Sequence, residues 1–307
     1  MITNGYSCAI NRNGTGMESC QPPDGLPSGA IFVPKGWELN KTTDTFDSAY
    51  VDEQIQLGNF TPFVGTFEMT GNTPEATTQE SQSGLISVVR QGKTTFTMVF
   101  KKGRAFQAAA YSFNSDGEYD VLLVFETGLI LGAESVDGTK VKGLTVGMVN
   151  TNGYAENTGT TSAQTSMMFQ IINPFEYNQN FFVFSSLDFD PQSKQGIVDA
   201  VLKLDSVDVS DSKAIFAMNW KWNEAFPLLG GDTANFRLVN AATGVALTTD
   251  DVIRNSTTGK YELTTTTAPT LAALYYVQLY DGTVPATATK IGTKFYKGQS
   301  NSVAATA

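Results

Sequence analysis

The sequence predicts a mainly β protein in two parts, a larger first domain followed by a smaller C-terminal β-sandwich. Three observations predict this. Phe (20 residues), Gly (28) and Thr are frequent while long Ala/Leu/Glu/Lys runs are scarce, a bias toward strands and turns. Short segments alternate with period two, most clearly at residues 94–101, where Phe96, Met98 and Phe100 point one way and Thr95, Thr97 and Lys101 the other. After residue 204 the texture changes to short strands at even spacing, and 307 residues is a length that fits two domains.

Taken in order, residues 1–29 are rich in Gly, Asn, Ser and Pro and read as an extended N-terminal arm. A first strand is predicted at Ala30–Val33, stopped by Pro34. Residues 38–58 are polar and acidic and read as a loop. Asn59–Gly71 reads as one strand, and Asn72–Gly84 (NTPEATTQESQSG) as a long polar loop. Leu85–Arg90, the turn Gln91-Gly92-Lys93 and Thr94–Lys101 read as a β-hairpin. Arg104–Phe113 is the one convincing helix, with Phe106, Ala109, Ala110 and Phe113 on one stripe. Strands are expected at Tyr119–Glu126, Leu129–Leu131, Val141–Asn150, Ser166–Ile172 and Phe181–Ser186. Residues 188–203 read as the junction, which places the first domain at 30–200 and the second at 201–307. Strands in the second part are predicted at Asp205–Ser210, Ala214–Trp222, Asn235–Val239, Lys260–Thr265, Tyr275–Tyr280 and Lys294–Tyr296. The set describes a sandwich of about 100 residues with a frayed polar tail.

The chain has no histidine. That excludes Ser-His-Asp and Cys-His nucleophiles, HExxH zinc sites and every His-ligated metal centre. No GxxxxGK[ST] occurs, nor a GxGxxG between a strand and a helix, so nothing predicts a nucleotide cradle. Cys8 and Cys20 make neither a disulfide framework nor a zinc site, and they read as free thiols with a single clip as the alternative. The N-terminus lacks a basic start and an apolar core, and no apolar run is long enough for a membrane helix. The expectation is therefore synthesis in a cytoplasm, no membrane, no cofactor, no metal and no enzyme activity.

Carboxylate chemistry stays open by residue type alone, with Glu68, Glu75, Glu80, Asp116, Glu118, Asp120, Asp188 and Asp190 as candidates, but nothing selects a pair. Residues 114–120 resemble the front of a calcium loop without its terminal glutamate, and read as a turn. Asp205, Asp208 and Asp211 read as edge-strand gatekeepers or ligands. Trp220 and Trp222 lie at i, i+2. Exposed, they would stack on sugars and make this a carbohydrate-binding or adhesive surface protein; buried, they are sandwich core. Lys101, Lys102 and Arg104 form too small a basic cluster for nucleic-acid binding.

Charge is uneven. Residues 1–199 hold 11 Lys and Arg against 21 Asp and Glu, a balance of −10, while residues 200–307 hold nine of each. The first part thus presents an acidic surface, either for a local purpose or for solubility.

The order of elements, with the stretches VVRQGKTTFTMVFKKGRAFQAAAYSF (88–113) and EYDVLLVFETGLILG (118–132), resembles the tail tube protein family of long-tailed bacteriophages. The appended part is similar in texture to the immunoglobulin-like modules such virion proteins carry. The resemblance implies a curled β-sandwich or partial barrel flanked by one helix. It implies a structural virion protein made in a bacterial cytoplasm, whose partners are itself, in hexameric rings, and other virion proteins. It further implies an acidic lumen that DNA passes without specific binding, with Asp44, Asp47, Asp52, Glu53, Glu68, Glu75 and Glu80 as lumen-facing candidates. A head-decoration or capsid-stabilising protein is the alternative within the same class.

Overall fold

The run Tyr119–Phe125 organises the first part of the molecule, because six successive side chains in it are buried. A strand buried on both faces needs a cover on each side, and the rest of this part supplies the two covers. The computed structural model describes residues 2, 5–7, 25–221, 223–227, 230–282 and 288–307. It falls into two units, Met1–Gln54 with Asn59–Gln195, and Ile55–Gly58 with Gly196–Ala307. The break at Gln195 lies within the segment read as the junction. Cys8, Cys20 and Trp222 lie outside the described residues.

In the first unit the strands are β1 (Gly5–Ser7), β2 (Pro27–Pro34), β3 (Glu38–Asn40), β4 (Thr61–Phe63), β5 (Glu68–Asn72), β6 (Thr77–Glu80) and β7 (Ile86–Arg90). They continue with β8 (Thr95–Phe100), β9 (Tyr119–Phe125), β10 (Ile130–Glu134), β11 (Lys140–Lys142), β12 (Leu144–Thr151), β13 (Thr165–Ile171) and β14 (Phe181–Phe184). The helices are α1 (Ser48–Gln56), α2 (Arg104–Tyr111) and α3 (Pro174–Asn178).

One layer contains β9 with β2 along one edge and β10 and β12 sharing the other, then β14 and β1 beyond β10. The second layer runs β12-β13-β8-β5. Strand β12 belongs to both and passes between them at a register shift bracketing Gly147, as bulges allow at sheet corners. The result is a curled sandwich, and among the described residues its sheets do not close into a barrel. Between the layers lies an aromatic core: Phe32 meets Phe63 and Phe169 edge to face, each with centroids 5.5 Å apart. The α2 stripe packs onto it through Ala110, Phe106 and Phe113, while Ala109, expected on that stripe, is exposed, and the helix ends at Tyr111.

The other face of β9 is covered by residues 38–54, within the segment 38–58 whose polar, acidic sequence predicts a loop. They hold β3 and most of α1, and Phe46 and Val51 are buried. Phe46 stacks on Phe184 at 4.2 Å. Helix α1 starts where Asp47 accepts from the Tyr50 N–H at 2.8 Å, a side-chain cap, and only Val51 and Ile55 mark its apolar stripe. Asn59–Gly71 is likewise two strands, since Gly65 turns the chain at φ +67° between β4 and β5.

The second unit contains β15 (Val198–Asp208), β16 (Lys213–Trp220), β17 (Asn223–Pro227), β18 (Phe236–Asn240), β19 (Ala246–Leu247) and β20 (Thr249–Arg254). It ends with β21 (Tyr261–Thr265), β22 (Leu274–Leu279), β23 (Thr289–Ile291), β24 (Lys294–Lys297) and β25 (Val303–Thr306). The strand order is β19-β18-β22-β25-β15-β16-β21-β20, folded around Phe216, Phe236 and Tyr261. The tail is not frayed. Strand β25 pairs with both β15 and β22, and Ala305 is buried, because a methyl side chain fits where two strands close on it. Strand β15 lies inside its sheet, so Asp205 and Asp208 guard no edge. Asp205 pairs with Lys260 and Asp208 accepts from Ser210 and the Asp211 N–H.

Candidate functional site

The hairpin expected between β7 and β8 does not form. Strand β8 pairs with β5 on one side and β13 on the other, and β7 pairs with β6. The ladder Glu68↔Val99 to Asn72↔Thr95 resumes beyond a break at Thr77↔Arg90 and runs to Glu80↔Ile86. The true turn is at Ser81–Gly84, closed by the Gly84 N–H to Ser81 carbonyl bond of 2.9 Å, with Gly84 at φ +78°. Gln91-Gly92-Lys93 is a break within one strand of a longer hairpin. Gly92 is required there, since a Cβ would stand 1.8 Å from the Pro74 carbonyl oxygen. The segment read as a polar loop is thus half of an arm, and pairing rather than side-chain pattern makes it a strand.

This arm is the site. Every residue of β6 and β7 is exposed. Leu85, Ile86, Val88 and Val89 stand 73, 71, 56 and 61% exposed along it. A Leu, Ile or Val side chain gains about 1.5–3 kcal/mol on full burial, and an isolated two-stranded hairpin is marginal in water. Four such side chains leave an exposed apolar strip along one ribbon. At the arm's base Thr73 and Thr94 share a 2.8 Å hydroxyl bond, and at the far end of the β5–β8 ladder the Lys101 ammonium sits 3.2 Å from the Phe67 ring centroid.

Beside the arm lies the outer face of the second layer. Its rows across β5, β8 and β13 are Glu68, Val99 and Ser166; Thr70, Thr97 and Met168; and Asn72, Thr95 and Gln170. No Lys or Arg interrupts these nine positions, and Glu68 is their one charge.

The structure does not bring the seven expected acids together. Glu68 lies on that face, and Glu75 and Glu80 lie on the arm. Asp44, Asp47, Asp52 and Glu53 belong to the cover on the other layer. There the Asn40 N–H and the Thr43 hydroxyl hold the Asp44 carboxyl below its usual range, Asp47 caps α1, and Asp52 pairs with Lys194 at 2.5 Å. Three of these four are spent on local structure. Trp220 is half-buried, packs on the second unit's core and lies 6.2 Å from Tyr296 by ring centroids. It is no open stacking platform.

Among the remaining carboxylate candidates, Asp120 is buried, accepts from the Gly36 N–H at 2.8 Å and leaves its other oxygen without a partner. Glu176, which the sequence reading missed, is buried nearby and bonds Lys142 at 2.6 Å and the Thr145 N–H at 3.0 Å. Burial pushes the Asp120 carboxyl up, against the Gly36 bond, and the Glu176 charge adds to the rise. Burial also pushes Glu176 up, but the bonds from Lys142 and Thr145 outweigh it and leave that carboxyl low. Glu176 is committed to Lys142 and Thr145, and Asp120 to the Gly36 N–H. Among the described residues no cluster of three or more Cys, Asp or Glu could hold a metal ion.

The opposed shifts predict opposite pH effects. With its pKa raised on folding, Asp120 contributes fully below its unfolded value of about 3.8, and that contribution is lost as pH rises through the folded value. Asp120→Asn is therefore expected to raise the urea midpoint at pH 7 and to match the parent below pH 4. Glu176→Gln is expected to lower the midpoint at pH 7, because a lowered carboxyl contributes above its unfolded value and loses that contribution as pH falls. Urea titrations from pH 3.5 to 8 check both signs.

Compared with known proteins, the chain matches no family model and none of the curated proteins.

Proposed function

We propose that this protein is a structural subunit that assembles with copies of itself, as phage tail tube proteins do, into stacked rings around a bore through which DNA passes. The observation that carries the reading is the arm: an ordered ribbon with four exposed apolar side chains has no use in an isolated molecule and a clear use in a repeated contact. The curled sandwich with its flanking helix supports the reading. So does the outer face of β5, β8 and β13, which offers Glu68 and uncharged polar groups but no cation to phosphates. Attraction at several phosphates per ring would trap DNA, whereas such a face lets it slide. The second unit has a balanced charge, as befits an immunoglobulin-like module carried outside the tube. In this reading Glu68 is the strongest lumen candidate of the seven acids. Asp44, Asp47 and Asp52 are the weakest, because their partners lie within the other layer.

Negative-stain microscopy of the purified protein tests the proposal. Stacked rings or short tubes are expected. Monomers at every concentration would overturn it, and discrete trimers would point to head decoration instead.

A further inference from the structure

Among the described residues strand β7 has a neighbour on one side only, β6. The pairs Glu80↔Ile86, Gln79↔Ser87 and Thr78↔Val88 form a regular ladder, and a bulge follows before Thr77↔Arg90. The Ser81 N–H donates to the Leu85 carbonyl at 2.8 Å, which sets the alternation: Ser87 turns its backbone groups toward β6, while Ile86 and Val88 turn theirs to the free edge. The run Leu85–Val89 has no charge and no proline, so the edge lacks the usual devices against strand addition. It is a template for one more strand.

We infer that the occupant of this edge is β7 of a second copy, running antiparallel about a two-fold axis through Ser87. The regular ladder (86–88) and the uncharged run (85–89) both centre on Ser87, so one register pairs the whole run with itself. In that register Ile86 of each copy stands opposite Val88 of the other. These are the residues with outward backbone groups, so each pair exchanges two hydrogen bonds and sets β-branched side chains against each other. Charge agrees. Antiparallel pairing sets Arg90 of one copy opposite Gly84 of the other, and the Glu80 carboxylate, though on β6, turns toward Gly84 and stands 4.0 Å from where a Cβ on that glycine would be. Parallel pairing would set Arg90 beside Arg90. Glu75 sits on the far strand of the base.

Such a pair is closed by its two-fold, whereas a tube grows through open-ended contacts. The pair is thus a state of the unassembled protein, covering the strand until ring contacts replace it. The inference goes beyond the tube reading and does not depend on it.

The register gives a sharp test on the full-length chain in a Cys8→Ser/Cys20→Ser background. Ser87 meets Ser87 in a non-hydrogen-bonded pair, where Cα atoms stand about 4.5 Å apart, within disulfide range. On mild oxidation Ser87→Cys is expected to cross-link into a covalent dimer about tenfold faster than Ile86→Cys or Val89→Cys, because opposed thiols share a high effective concentration. Val88→Pro, which removes an outward N–H, is expected to sediment as a monomer where the parent is a dimer. Equal rates at the three positions, or a parent that is monomeric at every concentration, would overturn the inference. Rings that form while the unassembled fraction yields no residue-87 cross-link would overturn it and leave the tube reading standing. Cross-linked dimers that never form rings would do the reverse.

Discussion

Replacing residues 74–93 by Asn-Gly is expected to abolish rings and tubes while leaving the first unit folded. The change keeps Thr73 and Thr94, whose hydroxyls already bond across the ladder, and joins them by a two-residue turn that suits antiparallel strands. Strands β6 and β7 are removed. All their side chains are exposed, so their loss takes little from the core, and stability should change by no more than about 0.5–1 kcal/mol. Thermal melts monitor the fold and microscopy monitors the assembly. Rings formed by the shortened protein would remove the arm from the assembly contact. A collapsed melt would mean that the arm supports the sandwich, contrary to its exposure.

The second large effect is expected in the core. Phe32→Ala should lower the stability of the first unit by about 3–5 kcal/mol. The ring is buried and sits at the centre of a cluster, edge to face with Phe63, Phe169 and Tyr119, with centroids 5.5, 5.5 and 6.1 Å away. Three faces of the vacated space are then rigid aromatic rings that relax poorly, which places the cost at the upper end for such truncations. The two units have separate core clusters. Phe32→Ala should therefore move the unfolding of the first and leave that of the second in place, and Phe216→Ala should do the opposite. Proteolysis in increasing urea, with fragments assigned by mass, distinguishes the two units. Coincident shifts in both variants would show a single cooperative block.

The strands that carry their own side-chain pattern were legible. Thr95–Phe100 alternates because one face meets Phe169 and Phe63 and the other faces outward, and that difference in environment is written into every second residue. Helix α2 was legible for the same reason. Helix α1 was harder, because in nine residues only Val51 and Ile55 carry the i, i+4 repeat of buried apolar side chains. Its better mark was the start, where Asp47 stands at the cap with Phe46 before it and Val51 four residues after it, the spacing of a hydrophobic staple. Strand β6 was not legible at all. Thr77–Glu80 meets water on both faces, so no burial selects its residues, and only the backbone ladder with β7 defines it. The buried Glu176 was hidden too, since its partner Lys142 is 34 residues away in sequence.

By itself the sequence determined the mainly β character, the two-part organisation, the absence of histidine chemistry and the uneven charge. All of these follow from residue types and short-range order, which a chain carries whether folded or not. Only the tertiary structure decided which strands pair. It moved the arm's turn from Gln91–Lys93 to Ser81–Gly84, dispersed the seven acids over two layers and the arm, and set Leu85–Val89 on a free edge. The physical reason is common to all three. Hydrogen bonds between strands join backbone groups that look alike in every residue, so register is chosen by the whole set of neighbours. The place of a charge or an exposed strand is settled only when that choice has been made.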